Sequence, residues 1–145
     1  MLNPDDIMIT DGVEVPHWLL DEAMCLENRK FIEVENIVDF TWNYLRAYAL
    51  KHPLVNKPIR PCASHINIGH HGVTPHNHEP HAFTSVLYLL DAEGELRFWD
   101  NVDLAIAPKE GRFVMFPGHI THYVEASKQA ELRISLVTNY EYYPT

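Results

Sequence analysis

The segment Pro75–Leu89, PHNHEPHAFTSVLYL, changes character at its middle. Its second half is a run of Val, Leu, Tyr, Phe and Thr that reads as a strand over Ala82–Leu90, bounded by Pro80 on one side and Asp91 on the other. Its first half holds His76, His78, Glu79 and His81. In an extended chain residues i and i+2 project to the same side, so His76 and His78 can converge on one metal ion. Neutral imidazole suits iron, zinc, copper and nickel. Two ligands leave coordination positions open, and a third has to come from elsewhere in the chain. FPGHITHY, Phe116–Tyr123, offers His122, which opens a strand after the Pro117-Gly118 turn, with His119 as a competitor nearer the turn.

Working outward, the period of the chain is two after Pro61. Ala63–Ile68, Glu95–Asp100, Arg112–Phe116, His122–Glu125 and Glu131–Tyr140 join Ala82–Leu90 as expected strands, separated by Gly, Pro, Asp or Asn. Asp91–Gly94 reads as a hairpin turn, with Gly94 free to take a positive φ. Short strands with turn signals this close together predict a β-sandwich or barrel. Before Pro61 the period is helical. Val34, Ile37, Val38, Phe40, Leu45, Tyr48 and Ala49 predict a helix over Glu33–Lys51, stopped by His52-Pro53. A shorter helix is expected over Trp18–Asn28 after Pro16, and the proline-rich Pro53–Pro61 reads as a connector. The expected organisation is one domain, 1–145, with a helical layer and connector (1–61) on an antiparallel barrel (62–145).

The chain has 145 residues, enough for one sizeable core. With 20 Asp+Glu against 11 Lys+Arg the formal charge is −9, which makes nucleic acid and anionic membrane poor partners. No apolar run approaches the roughly 20 residues of a membrane span, and the first residues lack the pattern of a signal peptide. Cys25 and Cys62 form no C-x-x-C pair and read as reduced thiols of a cytoplasmic protein. Of the ten histidines, His17, His52, His65, His70 and His71 read as surface or packing residues.

In ELRISLVTNY, Glu131–Tyr140, Arg133 and Ser135 share a strand face with Val137 and Asn139, while Leu132, Ile134 and Leu136 take the other. If the apolar set faces the helices, Arg133 and Ser135 point into the barrel. An inward arginine is costly unless it meets an anion, and a guanidinium fork beside a hydroxyl is a good carboxylate receptor. The alternative is a surface strand with a solvated Arg133.

Four blocks, Pro75–Leu89, Gly94–Asp100, Glu110–Ser127 and Arg133–Tyr140, resemble in order and interval the iron(II)- and 2-oxoglutarate-dependent oxygenases, nearest to small members with a histidine-x-histidine motif. The resemblance implies a mostly β fold, a double-stranded β-helix (a jelly-roll, cupin-like barrel) with N-terminal helices packed on one face. It implies iron held by His76 and His122, and 2-oxoglutarate held by Arg133, eleven residues after His122, with Ser135. Asn67 takes the place of a further polar contact to the cosubstrate. The chemistry implied is decarboxylation of 2-oxoglutarate to succinate coupled to oxidation of a C–H bond in a small molecule or peptide, in a protein that can form a homodimer. Tyr88, Trp99 and Tyr123 are candidate pocket aromatics, and Asn101–Pro108 is the candidate cover.

One position departs from the family. The common facial triad has a carboxylate two residues after the first histidine, where this chain has His78. Either His78 is the third ligand, or Glu79 reaches in through irregular backbone, or His78 is the first ligand with His76 behind it; the favoured set is His76, His78 and His122. GRFVMFPGHITH, Gly111–His122, also resembles the second cupin motif. A three-histidine cupin enzyme such as a thiol dioxygenase is therefore the rival, although the glutamate expected after H-x-H is missing. A non-enzymatic metal- or ligand-binding barrel is the third reading. Arg133 separates them, since only the 2-oxoglutarate enzyme requires it.

Overall fold

The computed structural model describes residues 2–26, 35–69, 71–126 and 132–144. Two antiparallel sheets face each other. The larger has strand order β1 (Met8–Thr10), β7 (Phe113–Pro117), β4 (Phe83–Tyr88), β9 (Arg133–Tyr142), β2 (Ile59–Gly69). The smaller has order β3 (Val73–His76), β8 (His122–Val124), β5 (Leu96–Phe98), β6 (Asn101–Ile106). Alternation along the strands builds two cores. Ile134 and Leu136 of β9, Phe83 and Leu87 of β4, and Phe113 and Met115 of β7 point outward from the larger sheet, onto the helices. Val137, Val86, Tyr88, Val114 and Phe116 point inward, against Leu96, Phe98 and Ile106 of the smaller sheet. The structure is mostly β, a double-stranded β-helix with N-terminal helices on one face. Among the described residues no helix is long and apolar enough to cross a membrane.

The helices differ from the expected ones in a way packing explains. α1 spans His17–Leu26 and buries Leu19 and Ala23. The longer helix runs as α2 (Glu35–Phe40), a π turn (Thr41–Leu45) and α3 (Arg46–Ala49). The wider π turn shifts the phase, so Ile37, Thr41, Leu45 and Ala49 are buried at intervals of four, while Val38 is 44% exposed. The expected ends at Asn28 and at Glu33 and Val34 lie outside the described residues, as do His70 and Glu131.

Three strands were not expected from the period: β1, β3 and β6. Met8–Thr10 is too short to show alternation, yet it pairs with Val114 and its neighbours and closes one edge of the larger sheet. Asn101–Pro108 is not a cover, because Asn101–Ile106 is a sheet edge paired with β5. β2 begins at Ile59, inside the expected connector. Pro61 fits there because β2 is an edge strand with its register break between Pro61 and Ala63, where a missing N–H costs no ladder bond. Asp91–Gly94 is not a hairpin turn, since β4 and β5 lie in different sheets; the segment carries the chain across the sandwich.

Candidate active site

β3 and β8 pair with His76 directly opposite His122, and His78 follows where the chain leaves β3. The loop holding His78 is fastened to the Pro117-Gly118 turn: the His78 N–H donates to the Gly118 carbonyl at 2.8 Å, and the Gly118 N–H donates to the Ala82 carbonyl at 2.9 Å. Only glycine fits at 118, because a Cβ there would collide with the His81 carbonyl. The ligand nitrogens of His76, His78 and His122 lie within 4.8 Å of one another, close enough to hold one metal ion. His122 is 4% exposed. Its Nδ1 donates to the Ile120 carbonyl at 3.0 Å, and His76 Nδ1 donates to the Thr74 carbonyl at 2.8 Å. A carbonyl oxygen can only accept, so both rings carry their proton on Nδ1 and present the Nε2 lone pair, the usual orientation of a metal-binding histidine.

His78 Nε2 stands 3.2 Å from His122 Nε2, so the two ring nitrogens converge on one point. Burial, then the neighbouring His122 and His76, push His78 down to about 3. Burial also lowers His122, to about 4, with the Ile120 carbonyl bond opposing and His76 adding. Both are therefore neutral at neutral pH, as ligation requires. Glu79 is exposed, its N–H taken by Asn77 Oδ1 at 3.0 Å, and it stands outside the cluster. His119 is exposed as well.

From the histidines a narrow cavity runs between the sheets to Arg133, past Asn67, Tyr88 and Ser135. β9 places Arg133 and Ser135 on its inward face, Asn67 of β2 sits opposite Ser135, and so does Tyr88 of β4. Arg133 is 6% exposed and in none of the ion pairs among the described residues. Its Nη2 donates to the His71 carbonyl at 2.6 Å and its Nη1 to the Glu125 carbonyl at 3.4 Å. Burial weakens its hold on its proton, opposed by Tyr88, yet a guanidinium stays charged. A buried cation whose hydrogen bonds, among the described residues, go to neutral carbonyls calls for an anion. Burial also raises the Tyr88 phenol, so its hydroxyl stays a donor beside the arginine.

All six expected site residues thus surround one cavity. Two contributors escaped the sequence reading. His65, expected to be a surface or packing residue, lines the cavity because β2 turns it inward with Asn67. Gly94, at φ +96, makes room for the arginine: a Cβ there would strike the Arg133 guanidinium and stand 2.7 Å from the Glu125 carbonyl. Its spacing from Arg133 in the chain gives no hint of this. Trp99 and Tyr123 do not line the cavity; Trp99 is 61% exposed, and the two rings meet outside at 6.4 Å.

No curated protein matches the sequence. Among solved structures, the chain is similar to the epimerase SnoN from nogalamycin biosynthesis, solved with Fe3+, alpha ketoglutarate and nogalamycin RO, at 14% identity and TM-score 0.75 over 97% of this chain and 82% of that one. It is similar to the viral collagen prolyl hydroxylase of Paramecium Bursaria Chlorella virus-1 in its 2OG complex, at 12% identity and TM-score 0.73 over 95% and 96%. A Pseudomonas putida prolyl-4-hydroxylase matches at 16% identity and TM-score 0.69 over 97% and 88%. These likenesses establish the fold. The family model of the 2OG-Fe(II) oxygenase superfamily matches residues 62–141, more than half of the sequence and the part that carries the histidines and Arg133. The chain belongs to the 2OG-Fe(II) oxygenase superfamily, and its cofactor and cosubstrate are iron(II) and 2-oxoglutarate.

Proposed function

We propose that His76, His78 and His122 hold the iron, that Arg133 and Ser135 with Asn67 hold 2-oxoglutarate, and that the enzyme hydroxylates a small molecule or peptide. Bound iron and 2-oxoglutarate supply, with dioxygen, the oxidising power for an unactivated C–H bond as 2-oxoglutarate leaves as succinate and carbon dioxide. The protein's own part is to fix and to exclude. The Thr74 and Ile120 carbonyls orient two imidazoles. The His71 and Glu125 carbonyls hold the Arg133 fork, leaving its remaining N–H groups for a carboxylate. The apolar residues between the sheets keep water from the cavity. The exposed, unpaired thiols Cys25 and Cys62 suit a reducing, cytoplasmic compartment.

The observation that carries this reading is the pairing of three clustered imidazoles with a buried, anion-seeking arginine in one cavity. Its test is anaerobic reconstitution with iron(II) and 2-oxoglutarate, read by the visible charge-transfer band of the chelate. Wild type is expected to show the band, and Arg133→Ala to need at least tenfold more 2-oxoglutarate. Stoichiometric iron without a band would overturn the cosubstrate assignment. It would favour a cupin-type three-histidine site, which the all-imidazole cluster also suits.

A further inference from the structure

The helical layer holds a cavity of its own, of about 760 Å³, a volume within the range of small-molecule sites. It shares no lining residue with the cavity that holds the histidines and Arg133. One wall is Glu14–Trp18, where the chain enters α1, and the other is α2 with the π turn. Both walls are fixed. The buried Val13 anchors the first, donating its N–H to the Gly111 carbonyl at 2.9 Å. The next residue, Glu14, donates its N–H to the Tyr44 hydroxyl at 3.2 Å and so ties the first wall to the second. The π turn keeps Asn36, Phe40 and Tyr44 in one row at intervals of four, with Asp39 and Asn43 beside them. Such turns are rare within helices and recur at functional sites.

The lining is aromatic and acidic at once. Trp18, Phe40 and Tyr44 supply rings, Trp18 perpendicular to Phe40 at 5.8 Å and Phe40 tilted against Tyr44 at 5.1 Å. Glu14 and Asp39 supply carboxylates, neither of them in an ion pair among the described residues. No Lys or Arg among the described residues lines the cavity. Glu22 of α1 adds a further carboxylate beside it. Its Oε1 accepts the amide N–H of the lining residue Asn36 at 3.3 Å, and its Oε2 is buried with no hydrogen-bond partner among the described residues. A cleft lined by one sign of charge concentrates the opposite sign, so this one draws cations and repels carboxylates and phosphates. A metal ion does not suit it, because among the described residues only His76, His78 and His122 cluster closely enough to ligate one. Aromatic rings instead attract organic cations, whose charge is spread and whose hydration is weak.

We propose that this cavity binds a small organic cation, its ammonium or guanidinium head set against Trp18 and Tyr44 while Glu14 and Asp39 balance the charge. The site is independent of the iron and cosubstrate assignment. In the test, the full chain, labelled for nitrogen NMR, is titrated with two cations and their neutral isosteres. Choline runs beside the alcohol in which carbon replaces the ammonium nitrogen, and butylguanidine beside butylurea. Calorimetry reads affinity, and the indole N–H resonances read location by separating Trp18 from Trp42 and Trp99. At least one cation is expected to bind tenfold or more tighter than its isostere and to shift Trp18 alone. The double variant Glu14→Gln/Asp39→Asn, changed at two exposed side chains, is expected to stay folded and to bind that cation at least tenfold more weakly. Trp18→Leu, which keeps an apolar wall but no ring, is expected to weaken it as well. Binding of neither cation, an isostere within twofold of its cation, a shift at Trp42 or Trp99 instead, or undiminished affinity in the folded double variant would overturn the inference. So would a lysine- or arginine-bearing peptide that binds where the free cations do not, which would give the cavity to a basic segment of another protein.

Discussion

At the scale of single residues, His78 and Glu79 are neighbours with opposite fates. His78 faces His122 across 3.2 Å, whereas Glu79 is exposed at the turn that the His81 N–H closes onto the His78 carbonyl at 2.9 Å. His78→Asp, which puts a carboxylate into the cluster, is expected to keep stoichiometric iron and the 2-oxoglutarate band. His78→Ala is expected to lower iron affinity at least tenfold, and Glu79→Gln to change neither; equilibrium dialysis and absorption spectra check all three. His52 teaches a different lesson. It is buried, its Nε2 donates to the Asp6 carbonyl at 2.7 Å, and its Nδ1 accepts the Leu54 N–H at 3.1 Å. Burial lowers its pKa below the ordinary 6.5, with Asp6 opposing. The unfolded chain therefore binds a proton that the native state refuses. The His52 contribution to stability is whole above pH 6.5 and is lost as pH falls from there through the native pKa, by at most about 1.4 kcal/mol per pH unit. Urea titrations of wild type and His52→Gln across that range are expected to converge as the pH drops.

At the scale of elements, β9 shows how one strand serves stability and chemistry on separate faces. Every residue from Arg133 to Tyr140 is buried, but Ile134, Leu136 and Tyr140 meet the helices while Arg133 and Ser135 line the cavity. Leu136→Ala is expected to cost about 2–5 kcal/mol of unfolding free energy and leave 2-oxoglutarate affinity within about twofold. Ser135→Ala is expected to weaken 2-oxoglutarate binding with little loss of stability, and denaturant curves beside ligand titrations separate the two. This division was legible in ELRISLVTNY because a period of two assigns faces unambiguously. The π turn was not. Its burial at Ile37, Thr41, Leu45 and Ala49 departs from the helical period used to read a sequence, and only packing against the sheet selects it.

At the scale of the molecule, the site bridges the two sheets. His76 and His122 belong to the smaller sheet, Arg133 and Ser135 to the larger. Ligands that span the two stabilise the native state by mass action. Iron(II) with 2-oxoglutarate, each at a hundred times its dissociation constant, is expected to add several kcal/mol, about 2.7 for each independent ligand. The melting temperature should rise by several degrees and return when a chelator removes the metal. The strand-forming core, the paired histidines and the arginine on the inward face were legible in the sequence, because alternation and short spacings are local properties of a chain. The tertiary structure alone brought His65 to the cavity wall, gave Gly94 its task beside Arg133, assigned β4 and β5 to different sheets and seated Met8–Thr10 at a sheet edge. These depend on which distant segments meet. That outcome is decided by how two sheets and a helical layer bury their apolar faces together, and no local period records it.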